Sequence, residues 1–156
     1  MSTQETELVI QKSAVVAASP ERAFEVFTEG MATWWPTETH SVQAMGKNAG
    51  PPETIVFETG PRGRVYERMT NGEEAHWANV TAWEPPHRLV LEWKVNPDAI
   101  APTEIEVRFT PECDGTRVDL EHRGFEALGK DAEEAHTGYS NGWPNVFQDY
   151  VDTVGK

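Results

Sequence analysis

The strongest constraint on the fold lies near the C-terminus, in residues 131–154. Placed on a helix at about 100° per residue, Ala132, Ala135, His136, Tyr139, Trp143, Val146, Phe147, Tyr150 and Val154 fall on one stripe. Asn141, Asn145, Gln148, Asp149 and Asp152 fall on the other side. A stripe carrying tyrosine, tryptophan and phenylalanine rings has to be buried against a large apolar surface. Asp131 and Glu134 have the spacing of a capping box at its start. Pro144 cannot donate to the carbonyl of Ser140 and predicts a bend. The stripe keeps its phase across the proline, so the pattern predicts one bent helix rather than two.

The surface it lies against is legible upstream. Leu8 to Ala18 is β-branched and apolar and reads as a first strand. Ser19 is a helix N-cap with Pro20 at the first helical position, and Ala23, Phe24, Val26 and Phe27 give that short helix an apolar side. Gly30 ends it, and Met31 to Trp35 predicts a second helical turn stopped by Pro36. Thr37 to Gly50 carries no clear pattern. Strands follow at Ile55 to Thr59, Arg64 to Met69, Ala75 to Trp83, Arg88 to Val95, Thr103 to Pro111 and Thr116 to Arg123. They are separated by turn signals: Gly60-Pro61-Arg62-Gly63, Asn71-Gly72, Glu84-Pro85-Pro86-His87, a loop at Asn96 to Pro102, and Asp114-Gly115. Short hairpin connections enforce antiparallel pairing. Leu89, Leu91, Trp93 and Val95 alternate with polar neighbours, as do Ile105, Val107 and Phe109, and Val118, Leu120 and His122. The sheet therefore has one wet face and one covered face, and the C-terminal helix is the element with enough apolar surface to cover it. The expectation is an α+β fold with helices on one face of a curved antiparallel sheet of about six to seven strands, forming one domain over residues 1–156.

Charge and composition narrow the function. The formal net charge is −13, which repels nucleic-acid phosphates and anionic lipid headgroups and sets both aside as partners. The apolar runs are far short of a membrane span. MSTQETELVI has neither a basic n-region nor an apolar h-region, and the single cysteine, Cys113, permits no internal disulfide. A cytoplasmic location is expected. Cys113 sits in a Pro-Glu-Cys-Asp-Gly turn and reads as an ordinary free thiol. His40, His76, His87, His122 and His136 show no metal-ligand spacing, and phosphate-loop, dinucleotide and nucleophile-elbow motifs are missing from the sequence. No metal and no cofactor are expected.

Several local motifs, in order, resemble a known superfamily. They are Ser19-Pro20-x-x-Ala23-Phe24-x-x-Phe27, Trp34-Trp35-Pro36, Gly63-Arg64-Val65-Tyr66-Glu67 and Trp83-Glu84-Pro85-Pro86-x-Arg88-Leu89. Glu106-Val107-Arg108-Phe109-Thr110-Pro111, Gly115-Thr116-Arg117-Val118 and Gly142-Trp143-Pro144 complete the set. Together they resemble the START-like superfamily, also called SRPBCC or Bet v 1-like, with its helix-grip fold. Within it, the chain looks like bacterial proteins related to the C-terminal domain of the activator of the ninety-kilodalton heat-shock protein's ATPase. The resemblance implies a cavity between sheet and long helix that takes lipids, sterols, polyketides or other apolar molecules. It also implies two alternatives: a chaperone-associated interaction module, and an enzyme such as a cyclase or hydrolase. The eukaryotic co-chaperone acts with an additional N-terminal domain, of which these residues show no counterpart. Paired subunits are compatible with the fold.

The residues themselves supply candidates for such a cavity. Trp34, Trp35, Trp93, Tyr139, Trp143 and Phe147 offer rigid faces with N–H and O–H groups to orient a ligand. Trp34-Trp35 beside Pro36 is placed to form a lip over the mouth. If Val65 and Met69 face inward on their strand, so does Glu67, where it would anchor a polar group or act as a general base. The bland alternative is that Glu67 pairs with an arginine or caps a backbone group. His122 follows Val118 and Leu120 inward as a second polar anchor, or as a satisfied core histidine. The parity of Ala75 to Trp83 stays open between His76, Ala78, Val80 and Ala82 on one face and Trp77, Asn79, Thr81 and Trp83 on the other. For the interaction-module reading, Glu104, Glu106, Asp119 and Glu121 on the outer face would meet a basic partner.

Overall fold

The computed structural model describes residues 8–37, 39–41, 43, 52–95 and 99–154. The loop expected at Asn96 to Pro102 and the unassigned stretch to Gly50 lie partly outside these, as does the start of the N-terminal decapeptide. In chain order the elements are β1 (Ile10–Val16), α1 (Pro20–Phe27), a 3-10 turn (Met31–Thr33), β2 (Thr54–Phe57), β3 (Arg64–Arg68), β4 (Glu74–Glu84), β5 (Arg88–Trp93), β6 (Thr103–Glu112), β7 (Gly115–Arg123), a 3-10 segment (Phe125–Asp131) and α2 (Ala132–Val154).

The strands make one seven-stranded sheet in the order β1-β7-β6-β5-β4-β3-β2, antiparallel throughout. Neighbours from β2 to β7 follow the chain because each is joined by a hairpin. Gly72 supplies the positive φ (90°) of the Asn-Gly turn. Gly63 has no room for a side chain, since a Cβ there would lie 1.7 Å from the Glu58 carbonyl oxygen. The long-range step is β1 on β7, with Ile10 opposite His122 and Val16 opposite Thr116. The inner face is the one the alternation indicates: Leu89, Leu91, Trp93, Ile105, Val107, Phe109, Val118 and Leu120 are all buried.

β4 is irregular, and that resolves its parity. Its pairing shifts register between Val65 and Tyr66 on the β3 side and between Val80 and Ala82 on the β5 side. The extra residues, Trp77 and Thr81, are bulges that bend a strand and reset which face its side chains take. As a result Trp77, Ala78 and Val80 are all buried, and Trp83 meets Phe24 at 5.0 Å. The question of which single face points inward has no single answer for this strand.

Ser19 caps α1, its Oγ accepting from the Arg22 N–H at 3.2 Å. α2 runs unbroken from Ala132 to Val154 across Pro144, as the phase of the stripe requires. Pro144 is on the exposed side, so the Ser140 carbonyl that it leaves without a donor is on the face where water can serve it. The expected capping box does not form. Asp131 is the last residue of the 3-10 segment, whose Gly129 takes φ 62°, and the chain enters α2 directly from it. Trp143, Val146, Phe147, Tyr150 and Val154 are buried against the sheet and α1. Aromatic rings of this size each remove roughly 150–250 Å² from water. The Tyr150 hydroxyl donates to the Ala23 carbonyl at 2.8 Å, tying α2 to α1, and burial pushes its pKa well up.

Candidate functional site

Between the sheet and the middle of α2, five indoles come together. Trp35 lies at their centre, its ring 5.7 Å from Trp34, 5.1 Å from Trp77, 5.8 Å from Trp93 and 6.0 Å from Trp143. Its neighbours arrive from the 3-10 turn, β4, β5 and α2. All four are at most 4 % exposed, whereas Trp35 is only partly buried.

Each indole N–H has its own acceptor. Trp34 donates to the Val26 carbonyl at 2.7 Å and Trp35 to the His40 carbonyl at 2.6 Å. Trp77 donates to Glu67 Oε1 at 2.9 Å, Trp93 to the Tyr139 hydroxyl at 3.0 Å, and Trp143 to His122 Nδ1 at 3.0 Å. These bonds satisfy groups that would each cost about 1–3 kcal/mol if buried without a partner.

Glu67 is fully buried and points inward, as the strand parity predicts. Its Oε1 takes the Trp77 indole and its Oε2 the Gln43 backbone N–H at 2.9 Å. It thus caps a backbone group, and it fixes an indole in the cluster wall.

His122 is also fully buried. An indole N–H can only donate, so Nδ1 is the bare nitrogen and Nε2 carries the proton. Nε2 donates to Thr103 Oγ1 at 2.7 Å, and that hydroxyl donates on to the Trp93 carbonyl at 3.3 Å. Desolvation, helped by the charge of His136, lowers the His122 pKa to about 3, so the ring is neutral near pH 7. Its ring meets Tyr139 edge-on at 4.7 Å. Tyr139 is half-buried, and desolvation raises its pKa against the opposing hydrogen bond from Trp93.

Of the residues singled out in the sequence, Trp35, Trp93, Tyr139, Trp143, His122 and Glu67 are therefore brought together. Trp34 bridges this cluster to the core, meeting Phe27 at 5.3 Å and Tyr150 at 5.2 Å. Phe147 is in that core layer, with its ring 6.0 Å from Tyr150. Trp77 and Thr103 belong to the site and were not singled out. Trp77 was hidden by the bulge that turns it inward. Thr103 gave no signal beyond standing at the start of an alternating strand. The segment after Trp35 does reach the helix: a Cβ at Gly142 would be 3.4 Å from His40 Nε2.

The outer face differs from expectation. Glu104, Glu106, Asp119 and Glu121 are held by arginines instead of standing free for a basic partner. Arg123 reaches Glu104, Glu106 and Glu121, Arg88 and Arg108 both reach Glu106, and Arg117 reaches Asp119. Burial disfavours the Glu106 carboxylate, but bonds from Arg88 and Arg123 and the charge of Arg108 outweigh it and hold the pKa at about 2. The open groove of about 600 Å³ on this face is lined by Lys12 and by the paired charges of Glu106, Arg108, Arg117, Asp119 and Glu121. Among the described residues, no group of three or more His, Cys, Asp or Glu is placed to hold a metal, and no helix is long and apolar enough to cross a membrane.

A seven-stranded antiparallel sheet curled against a long C-terminal helix, with aromatic side chains between them, defines an α+β protein of the START-like, helix-grip class. Within that class the chain belongs to the Activator of Hsp90 ATPase homolog 1-like protein family, whose model matches residues 17–154. Among solved structures it is similar to MLL2253 from Mesorhizobium loti, with 20 % identity, TM-score 0.66, and 92 % of this chain and 94 % of that one covered. It is also similar to the anthrahydroquino-gamma-pyrone synthase Txn09, with 36 % identity, TM-score 0.59 and coverage of 92 % and 95 %. The self-sacrificing resistance protein CalC from Micromonospora echinospora is 27 % identical, with TM-score 0.64 and coverage of 94 % and 93 %. A search of curated proteins gave no match.

Proposed function

We propose that this protein binds a small apolar or amphipathic molecule between the sheet and α2. The observation that carries the reading is the indole cluster itself. Four buried indoles surround a fifth that reaches solvent, and small-molecule sites are lined mostly by apolar and aromatic side chains with a few oriented polar groups. Trp93, Trp143 and Tyr139 form the wall in this reading, with Trp35 at its solvent-facing mouth and His122 and Glu67 fixing its geometry; Trp34 and Phe147 back it from the core. The test is a thermal-shift and native mass-spectrometry panel of fatty acids, sterols and planar aromatic compounds. A bound 1:1 species with a raised melting temperature is expected for at least one class. No stabilisation and no bound species for any class would overturn it.

One observation favours a second reading, chemical conversion of the bound molecule: the 36 % identity to a synthase over nearly the full length. Its test is mass-spectrometric analysis of a bound aromatic compound after incubation, where recovery of unchanged compound refutes turnover. Equal turnover by Glu67→Gln would remove Glu67 as the general base. The interaction-module reading has less support, because the outer-face acids already carry arginine partners. A pulldown with a bacterial chaperone, read together with its ATPase rate, tests it, and no capture with no change in rate refutes it.

A further inference from the structure

Four features of the indole cluster bear on what could enter it. The first is exposure. Trp34, Trp77, Trp93 and Trp143 are buried, and Trp35 alone of the five reaches solvent.

The second is how each ring is held. The four surrounding indoles donate to acceptors that do not involve Trp35: the Val26 carbonyl, Glu67, Tyr139 and His122. Trp35 is tied to its own segment. Its backbone N–H donates to the Met31 carbonyl, its carbonyl accepts from the Thr37 N–H, and its indole donates to the His40 carbonyl. Among the described residues it makes no hydrogen bond to the sheet or to α2. Removing its ring therefore leaves the wall's polar contacts intact, which is a preorganised site with a plug in it.

The third feature is shape. Trp77 and Trp93 meet the Trp35 ring plane at 51° and 40°, and Trp143 meets it edge-on at 85°. The space it fills is flat and the size of two fused rings.

The fourth is polarity. The Tyr139 hydroxyl oxygen accepts from Trp93, whose ring is the one 5.8 Å from that of Trp35. Its own proton has no acceptor among the described residues. His122 is neutral, and both oxygens of Glu67 already receive N–H groups.

We infer that Trp35 is a displaceable plug, and that the molecule replacing it is a neutral, planar, fused-ring aromatic compound with an oxygen that accepts the Tyr139 hydroxyl proton. The inference deepens the ligand-binding reading and rests on it. Displacement breaks the Trp35–His40 bond and turns the ring toward solvent, while the other four indoles stay in place.

The test follows the indole N–H signals of the wild-type protein by 15N-correlated NMR, with the Trp35 signal assigned by its loss in Trp35→Phe. Chromone is the probe; naphthalene, which lacks the acceptor, and palmitate, which is not planar, are the comparisons. Saturating chromone is expected to shift the Trp35 signal most and to raise the exchange of its N–H about tenfold or more, as for a bond opened to water. The Trp34 N–H, bonded to Val26, is expected to stay protected. Chromone is expected to bind about tenfold tighter than naphthalene, the value of one net hydrogen bond, and Tyr139→Phe to abolish that preference. Saturation by chromone with the Trp35 signal and exchange unchanged overturns the plug. A chromone preference that survives in Tyr139→Phe overturns the anchor. Palmitate binding without chromone binding overturns this inference and leaves the broader reading standing, whereas binding of none of the three, with no hit in the panel above, overturns both.

Discussion

Replacing His122 by glutamine separates a titrating core group from a merely polar one. In the folded protein the His122 pKa is lowered to about 3, from an ordinary 6.5, first by desolvation and then by His136. A lowered folded-state pKa means that below pH 6.5 the unfolded chain takes up a proton that the folded one refuses. Stability from this residue is fully present above pH 6.5 and drains away as pH falls from there toward 3. Between pH 7 and pH 5 the loss is about 2 kcal/mol, from about 1.4 kcal/mol per pH unit over the window below 6.5. Protonation would also put a second N–H on Nδ1, facing the Trp143 indole that now donates to it. Glutamine can hold a donor and an acceptor in that space and does not titrate.

The assay is urea unfolding followed by tryptophan fluorescence at pH 7 and pH 5 on both proteins. Wild type is expected to lose about 2 kcal/mol more than His122→Gln over that interval, a difference equivalent to roughly 4–8 °C in melting temperature for a chain of this size. Carboxylates that titrate in the same range cancel in the comparison, and Glu106, held at about 2, ionises below the interval. Parallel losses in the two proteins would refute the claim that His122 is neutral and locked between Trp143 and Thr103.

Glu67→Gln is expected to cost about 1–3 kcal/mol, because its amide must turn a donor toward either the Gln43 N–H or the Trp77 indole, both of which now donate to it; equilibrium unfolding in urea measures the loss. Gly138→Ala is expected to stabilise by about 0.5–1 kcal/mol, since a helical glycine carries an entropic penalty and a Cβ there meets nothing within 4 Å; the same titration measures the gain.

Much of this fold was legible because its elements obey one period each. The α2 stripe, the alternation on β5 to β7 and the Asn-Gly turn rest on local rules, and the packed structure leaves them undisturbed. β4 was not legible, since a bulge inserts a residue for which period-two reasoning has no place. Trp77 became a wall of the site through that insertion, and Glu67 acquired its indole partner with it. The outer face failed for a related reason. Arg108, Arg117 and Arg123 were visible on the same face as the acids, but the cross-strand pairs among them depend on register, such as Arg123 on β7 with Glu104 opposite it on β6, and Arg88 on β5 with Glu106 on β6. Register is a property of the assembled sheet.

Trp34 and Trp35 show where sequence reading stops. They are adjacent and identical, and no period distinguishes them because they follow a three-residue 3-10 turn. The turn's geometry sends one ring down onto Phe27 and Tyr150 and the other across to Trp77 and Trp93. The first is a core side chain whose N–H is fixed to α1 through Val26. The second fills the space between sheet and helix, yet among the described residues it is hydrogen-bonded only to its own segment. A ring with extensive contact and no polar tie to its walls is stabilised by non-directional burial, which a ligand of similar shape can replace without leaving any buried N–H unpaired. That difference in bonding, and not residue type, is what sets Trp35 apart from the other four indoles.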